Sequence, residues 1–536
     1  MKNFVKALVV ASVLSACSAT STTATSPTLN VQDLTAASIA EGVSKGSLSS
    51  EAVVAAYLAR IDALDHKTQS IIALNPNALQ EARQLDAEAR QGKLRGPLHG
   101  VPVLVKDNIE TKELPATAGS LALANNDTKR DAPIIAGLRE QGAIILGKTN
   151  LSEWANFRSN GSISGWSGIG GQTRNPHSLD RTACGSSSGS GAAVAAQYAP
   201  MAIGTETNGS IMCPSAMNGV VGFKPTVGML SRTHVVPISS TQDTAGPMTR
   251  TVRDAALMLN AMSRADNADP ATVQAGAKRP DFVAALDKDI KGMRIGVLRW
   301  AQGNREAITS AFNDAVKVLE AQGAELVDIN EFQPMEGIGG AETLLLQTEF
   351  KHTLNEYLAD AAPTVKYRTL EDLIEFNNNS DRELALFDQS LFTASQETKG
   401  IDSQEYKDAF ALLMEATREK GIDALLKKHN VDVIVMPSRP AAFLIDAVYG
   451  DSYPGGSVGA GWMPAIAGYP IMTVPMGSEK GLPIGFGIMG TAWDDATVLR
   501  VGYAYEQASH KILTPTFAES AFELSQTKDG LKRLNK

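Results

Sequence analysis

Cys184-Gly-Ser-Ser-Ser-Gly-Ser-Gly191 sets four serines and three glycines in eight residues. Composition alone suggests a linker, but the context does not. Gly191-Ala-Ala-Val-Ala-Ala-Gln-Tyr198 follows at once with high helical propensity and Pro200 as a stop, so the serines stand at a helix entrance, where free N–H groups and the positive end of the dipole gather. Gly185-Ser-Ser-Ser-Gly189 also satisfies G-x-S-x-G with Ser187 at its centre, the nucleophile elbow of α/β-hydrolases. An elbow needs an apolar strand running into it, whereas residues 172–183, QTRNPHSLDRTA, are polar and broken by Pro176. None of His234, His352, His429 and His510 stands in a recognisable base context. The remaining reading makes the serine run one wall of a site whose nucleophile lies elsewhere.

Working outward, Met201-Ala-Ile203 is a short apolar strand that runs into a second Gly/Ser-rich turn, Gly204-Thr-Glu-Thr-Asn-Gly-Ser-Ile211, and then into Asn218-Gly-Val-Val-Gly-Phe-Lys-Pro-Thr226. Val101–Val105 and Ala143–Leu146 read as short buried strands, and Val431–Met436 as another. Ser50-Glu51 opens an amphipathic helix through Val53, Tyr57, Leu58, Ile61 and Leu64; residues 78–90 and 304–322 predict further helices, and about 340–430 is predominantly helical. A Gly/Pro-rich region follows around Tyr453 to Gly490. This alternation predicts an α/β core. No repeat and no internal linker appears after residue 30, so one large domain, 31–536, with a helical insertion at about 340–430 is the simplest organisation.

Six separated blocks occur in the order that marks one family. They are Gly100-Val-Pro-Val-Leu-Val-Lys-Asp-Asn108, Gly147-Lys-Thr-Asn-Leu-Ser-Glu-Trp154, CGSSSGSG, GTETNGSI, GVVGFKPT and Ala467-Gly-Tyr-Pro-Ile-Met-Thr-Val-Pro475. The chain from about residue 31 onward resembles the amidase signature family of amide hydrolases. The resemblance implies a single α/β domain with a central mixed β-sheet surrounded by helices. It also implies a catalytic Ser, a second Ser in a cis peptide, and a Lys; matched block by block, these fall on Ser210, Ser186 and Lys106, with Gly185-Ser186 as the cis bond.

The chemistry suits those residues. Lys106 ends an apolar strand, where burial disfavours the ammonium and leaves some free amine near neutral pH. Ser186 would pass the Ser210 proton towards Lys106 and return it to the departing nitrogen. Backbone N–H groups of Thr207, Asn208, Gly209 and Ser210 would receive the oxyanion. By resemblance, Ser187 and Thr205 support this network. Met212 stands where many family members carry Arg, which removes a charge near the site. Lys148 also follows an apolar run and is the competing buried lysine, although Gly147 intervenes. A penicillin-enzyme S-x-x-K occurs only at Ser525–Lys528, in the polar tail. His99 and His177 read as structural. Cys184 and Cys213 read as small packing residues, with a bridge between them left open.

These features predict ammonia release from a carboxamide through a Ser210 acyl-enzyme, with likeness to peptide amidases that deamidate C-terminal peptide amides. A broad aliphatic or aryl amidase is the alternative, and an inactive peptide-binding surface lipoprotein is the alternative of another class. With no CxxC and no HExxH, neither metal nor cofactor is expected. A net charge of −9 without any basic tract argues against nucleic acid as a partner; a small-molecule or peptide amide is the expected substrate, and oligomeric state is left open. Lys2 and Lys6, the apolar run Ala7–Leu14 and Leu14-Ser-Ala-Cys17 resemble a bacterial lipoprotein signal. That reading predicts a signal peptide at 1–16, lipidation at Cys17, a flexible tether over 17–30, and an exported, periplasmic protein held at the outer membrane by its lipid alone. It also counts against the glutamine-dependent tRNA amidotransferase component that shares the signature but works in the cytoplasm.

Overall fold

The computed structural model describes residues 29–454 and 458–524. Its frame is an eleven-stranded mixed sheet. In chain order the strands are β1 (Ile71–Leu74), β2 (Pro102–Lys106), β3 (Ile144–Thr149), β4 (Met201–Glu206), β5 (Val221–Lys224), β6 (Thr244–Thr249), β7 (Arg294–Leu298), β8 (Glu325–Ile329), β9 (Val433–Pro437), β10 (Ile471–Glu479) and β11 (Leu482–Met489). Their spatial order is β1-β3-β2-β4-β6-β5-β10-β11-β9-β7-β8. β2 runs parallel to both β3 and β4, and β7 runs parallel to β8 and β9; the remaining pairs are antiparallel. Every residue of β2, β3, β4 and β9 is buried, as expected of strands covered on both faces.

Helices cover the sheet because their apolar residues recur on one face. In Glu306–Ala321, Ile308, Phe312, Ala315, Val316 and Leu319 are the buried positions, a helical period. The first long helix spans Ser50–Thr68, and its N-cap is Ser49, whose side chain accepts from Ala52 N–H, one residue before the start read from sequence. Between Ile338 and His429 lies a run of helices. The Gly/Pro-rich region near the C-terminus instead forms the longest hairpin of the sheet, β10 and β11, with a register shift between Pro475 and Gly477.

The serine run opens the helix Ser188–Ala195, which is buried on every side. Its small residues are required by that position. A Cβ on Gly189 would lie 2.4 Å from the Ser70 carbonyl oxygen and 2.5 Å from that of Asn150, so only glycine lets the helix start this close to neighbouring backbone. The motif is therefore neither linker nor exposed elbow: it packs between the sheet and the helix Met212–Asn218.

Candidate active site

The ends of β2, β3 and β4 and the serine turn meet at Lys106. β2 delivers it, fully buried, beside β4, where Val105 pairs with Ile203. Lys106 Nζ donates to Ser186 Oγ at 2.7 Å, to Thr205 Oγ1 at 2.7 Å and to Thr205 O at 3.3 Å. Asn108 Nδ2 donates to the same Thr205 hydroxyl at 3.0 Å. The acceptors around Lys106 are thus uncharged. Burial lowers its pKa to about 7, with the more distant Asp243 and Glu206 carboxylates opposing that shift.

Ser186 follows a cis peptide bond from Gly185 and is fully buried. Ser187 does not serve as an elbow: its hydroxyl donates to Thr205 O at 3.0 Å and accepts from Thr205 N–H at 3.2 Å, stitching the serine turn to the end of β4. The Ser187 N–H donates to Ser210 O at 3.2 Å, which sets the two turns against each other. Among the described residues no hydrogen bond joins the Ser186 and Ser210 hydroxyls directly; Ser210 joins the group through its backbone and lines the adjoining cavity.

The turn 207–210 is held from outside. Thr207 Oγ1 donates to Asp243 Oδ1 at 2.6 Å, and Asn208 Nδ2 donates to Glu342 Oε1 at 2.7 Å. Glu206 Oε2 accepts from Ile211 and Met212 N–H at 2.7 and 2.9 Å, closing the turn onto the next helix. Gly209 has φ of 88°, a left-handed conformation that favours glycine. Among the described residues, the N–H groups of Asn208, Gly209 and Ser210 donate to no backbone carbonyl, so they are available to an incoming acceptor. A cavity of about 180 Å³ opens there, lined by Gly185, Thr207, Asn208, Gly209 and Ser210 together with Phe157, Leu346 and Arg439.

Cys184 and Cys213 are joined as a disulfide that ties the start of the serine turn to the helix after Ser210. His177 Nε2 meets Asn218 O at 3.0 Å, and burial holds the imidazole down to about 4. His99 is buried between Arg95 N–H and Leu85 O. Both histidines are structural. Asp243, Glu342 and Arg439 lie in no motif, whereas Asn108 closes the Gly100–Asn108 block that the sequence singled out.

The fold and this site define a hydrolase of amide bonds. A family model described as Amidase matches residues 52–499, and the chain belongs to that family. The crystal structure of the native peptide amidase from Stenotrophomonas maltophilia is 44% identical, with a TM-score of 0.85 over 91% of this chain and 99% of its own. An amidase-named protein of Schizosaccharomyces pombe is 34% identical over 92% of this chain and 88% of its length. One of Arabidopsis thaliana is 35% identical over 90% and 91%. A glutamyl-tRNA(Gln) amidotransferase polypeptide of Gloeobacter violaceus is 34% identical over 87% and 94%.

These relatives overturn the expected location. The chain matches proteins of a yeast and a plant over nearly all of its described length, and those cells have no bacterial periplasm, so the exported, outer-membrane lipoprotein reading is withdrawn. Cys17, the segment 1–16 and most of the tether lie outside the described residues.

Proposed function

We propose that the protein hydrolyses a carboxamide to a carboxylic acid and ammonia, with Ser210 as nucleophile, Ser186 as proton relay and Lys106 as base. One observation carries this reading. A buried lysine with a pKa near 7 touches the Ser186 hydroxyl at 2.7 Å and has no charged acceptor of its own. At and above neutral pH its free amine takes the proton of Ser186 Oγ as Ser186 takes that of Ser210 Oγ, and Ser210 Oγ bonds to the amide carbon. The carbonyl oxygen becomes an oxyanion facing the N–H groups of the turn 207–210, where one such donor typically contributes about 2.7–4 kcal/mol. Lys106 returns the proton through Ser186 to the nitrogen, the C–N bond breaks and ammonia leaves. Water then repeats the sequence on the acyl-Ser210 ester and frees the acid.

Thr205 holds Lys106 in place and Ser187 locks Thr205, so both act on the geometry rather than on the substrate. Among amides, C-terminal peptide amides suit the site best: likeness to a peptide amidase at 44% identity supports this over the amidotransferase relative, which is 34% identical. The test is ammonia release from N-acylamino acid amides, dipeptide amides and simple aliphatic amides, with intact-mass detection of the acylated chain after rapid quench. Acyl mass on Ser210 and its loss in Ser210→Ala are expected. Full turnover by Ser210→Ala would refute the assignment.

A further inference from the structure

The cavity beside Ser210 has an apolar wall of Ala155, Phe157, Ile238 and Leu346, and facing it stands one cation, Arg439. Arg439 lies two residues beyond the end of β9 and is half-buried. Its guanidinium reaches over the 207–210 turn so closely that a Cβ on Gly209 would meet Nη2 at 2.6 Å. Other arginines withdrawn from solvent have acceptors within the fold: Arg232 meets Asp269 at 2.6 Å, Arg139 Asp131 at 3.0 Å and Arg158 Glu153 at 2.9 Å, while Arg60, Arg368 and Arg418 donate to backbone carbonyls. Among the described residues, Arg439 takes part in no ion pair. A guanidinium partly removed from water without a counter-charge is unfavourable unless something else supplies the acceptor. Its planar fork is shaped for carboxylate and carbonyl oxygens.

We propose that Arg439 is a specificity residue that binds an acceptor oxygen, a carboxylate or a peptide carbonyl, on the acyl portion of the substrate while the apolar wall takes the adjoining hydrocarbon. This rests on the amide-hydrolase reading of Ser210 and narrows the amides it accepts. A carbonyl one residue upstream of the scissile amide, as in a peptide amide, and a carboxylate, as in the monoamide of a dicarboxylic acid, are the two sources of such an oxygen.

Two matched pairs separate them. N-acetylphenylalaninamide and 3-phenylpropionamide differ by the acetamido group; succinamate and butanamide differ by the carboxylate. In Arg439→Gln the kcat/KM ratio of the acceptor-bearing substrate to its hydrocarbon partner falls about tenfold or more in at least one pair, and Arg439→Lys recovers part of it. The pair that falls identifies the source. Both ratios unchanged would overturn the proposal. Calorimetric binding of the acids N-acetylphenylalanine, 3-phenylpropionate and succinate reads the same contact without turnover. There Arg439→Gln weakens N-acetylphenylalanine relative to 3-phenylpropionate, or weakens succinate itself, by a similar factor. Equal affinities in both proteins would overturn the proposal, whereas wild-type protein that binds these acids through Arg439 but releases no ammonia from any amide would refute only the hydrolase reading.

Discussion

Lys106 and Lys148 sit on neighbouring parallel strands, one residue apart in register: Val105 pairs with Lys148, and Lys106 with Thr149. Alternation along the strands turns them to opposite faces of the sheet. Both are fully buried and burial lowers the pKa of both. Their partners differ. Lys148 Nζ lies 3.2 Å from Asp107 Oδ1, itself buried, and donates to Ile109 O at 2.7 Å and Pro115 O at 3.1 Å. Lys106 meets two hydroxyls and a carbonyl. In a lysine given a carboxylate and two carbonyls, those partners oppose burial and fasten chain segments together; one given no carboxylate is freer to lose its proton. Burial alone does not make a base. The absence of a counter-charge does.

The sharpest way to break this comparison is to remove each amine in turn. Lys106→Met should lower kcat by at least about 10⁴-fold, as loss of one member of a catalytic unit does, while its unfolding midpoint in denaturant stays level or rises because no buried charge is orphaned. Lys148→Met should do the reverse. It strands Asp107 and lowers stability by about 3–5 kcal/mol, read from denaturant unfolding; Lys148→Met with Asp107→Asn should recover much of that loss. If the two single variants swap phenotypes, the roles assigned to the two strand ends are wrong.

A smaller effect sharpens the same contrast through pH. With Lys106 as the proposed base acting as free amine, kcat/KM should climb as pH rises through about 7 and level off above, falling about tenfold for each unit on the acid side. A flat profile between pH 5 and 8 would argue against a titrating Lys106. The smallest effect is expected from Thr205→Val, which deletes the hydroxyl shared by Lys106 and Asn108. A loss of about tenfold in kcat/KM is predicted, with the acid limb moving to lower pH because one hydrogen bond favouring the ammonium is gone. Activity profiles of variant and parent across pH check both parts.

The α/β frame was legible wherever a strand is a continuous apolar run, as in β2 and β9, and wherever a helix keeps one apolar stripe, as in Glu306–Ala321. The hairpin β10 and β11 was not legible as strands, because Pro475, Gly477, Pro483, Gly485 and Gly487 hide an apolar pattern that neighbouring strands complete. Lys106, Ser186 and Ser210 stand inside recognisable blocks. Asp243, Glu342 and Arg439 arrive from other parts of the chain and touch the 207–210 turn only after folding, so no local spacing announces them. The bridge between Cys184 and Cys213 stayed open for the same reason: a separation of 29 residues does not fix geometry. The export reading rested on the composition of the first seventeen residues alone, and relatives from organisms without a periplasm overturned it.

The lowered pKa of Lys106 is most directly tested by NMR titration of the protein with ¹³C,¹⁵N-lysine, the Lys106 signal being assigned as the one missing from Lys106→Met. A midpoint near pH 7 for that side chain is the predicted result. A Lys106 that holds its proton beyond pH 9 would contradict the account.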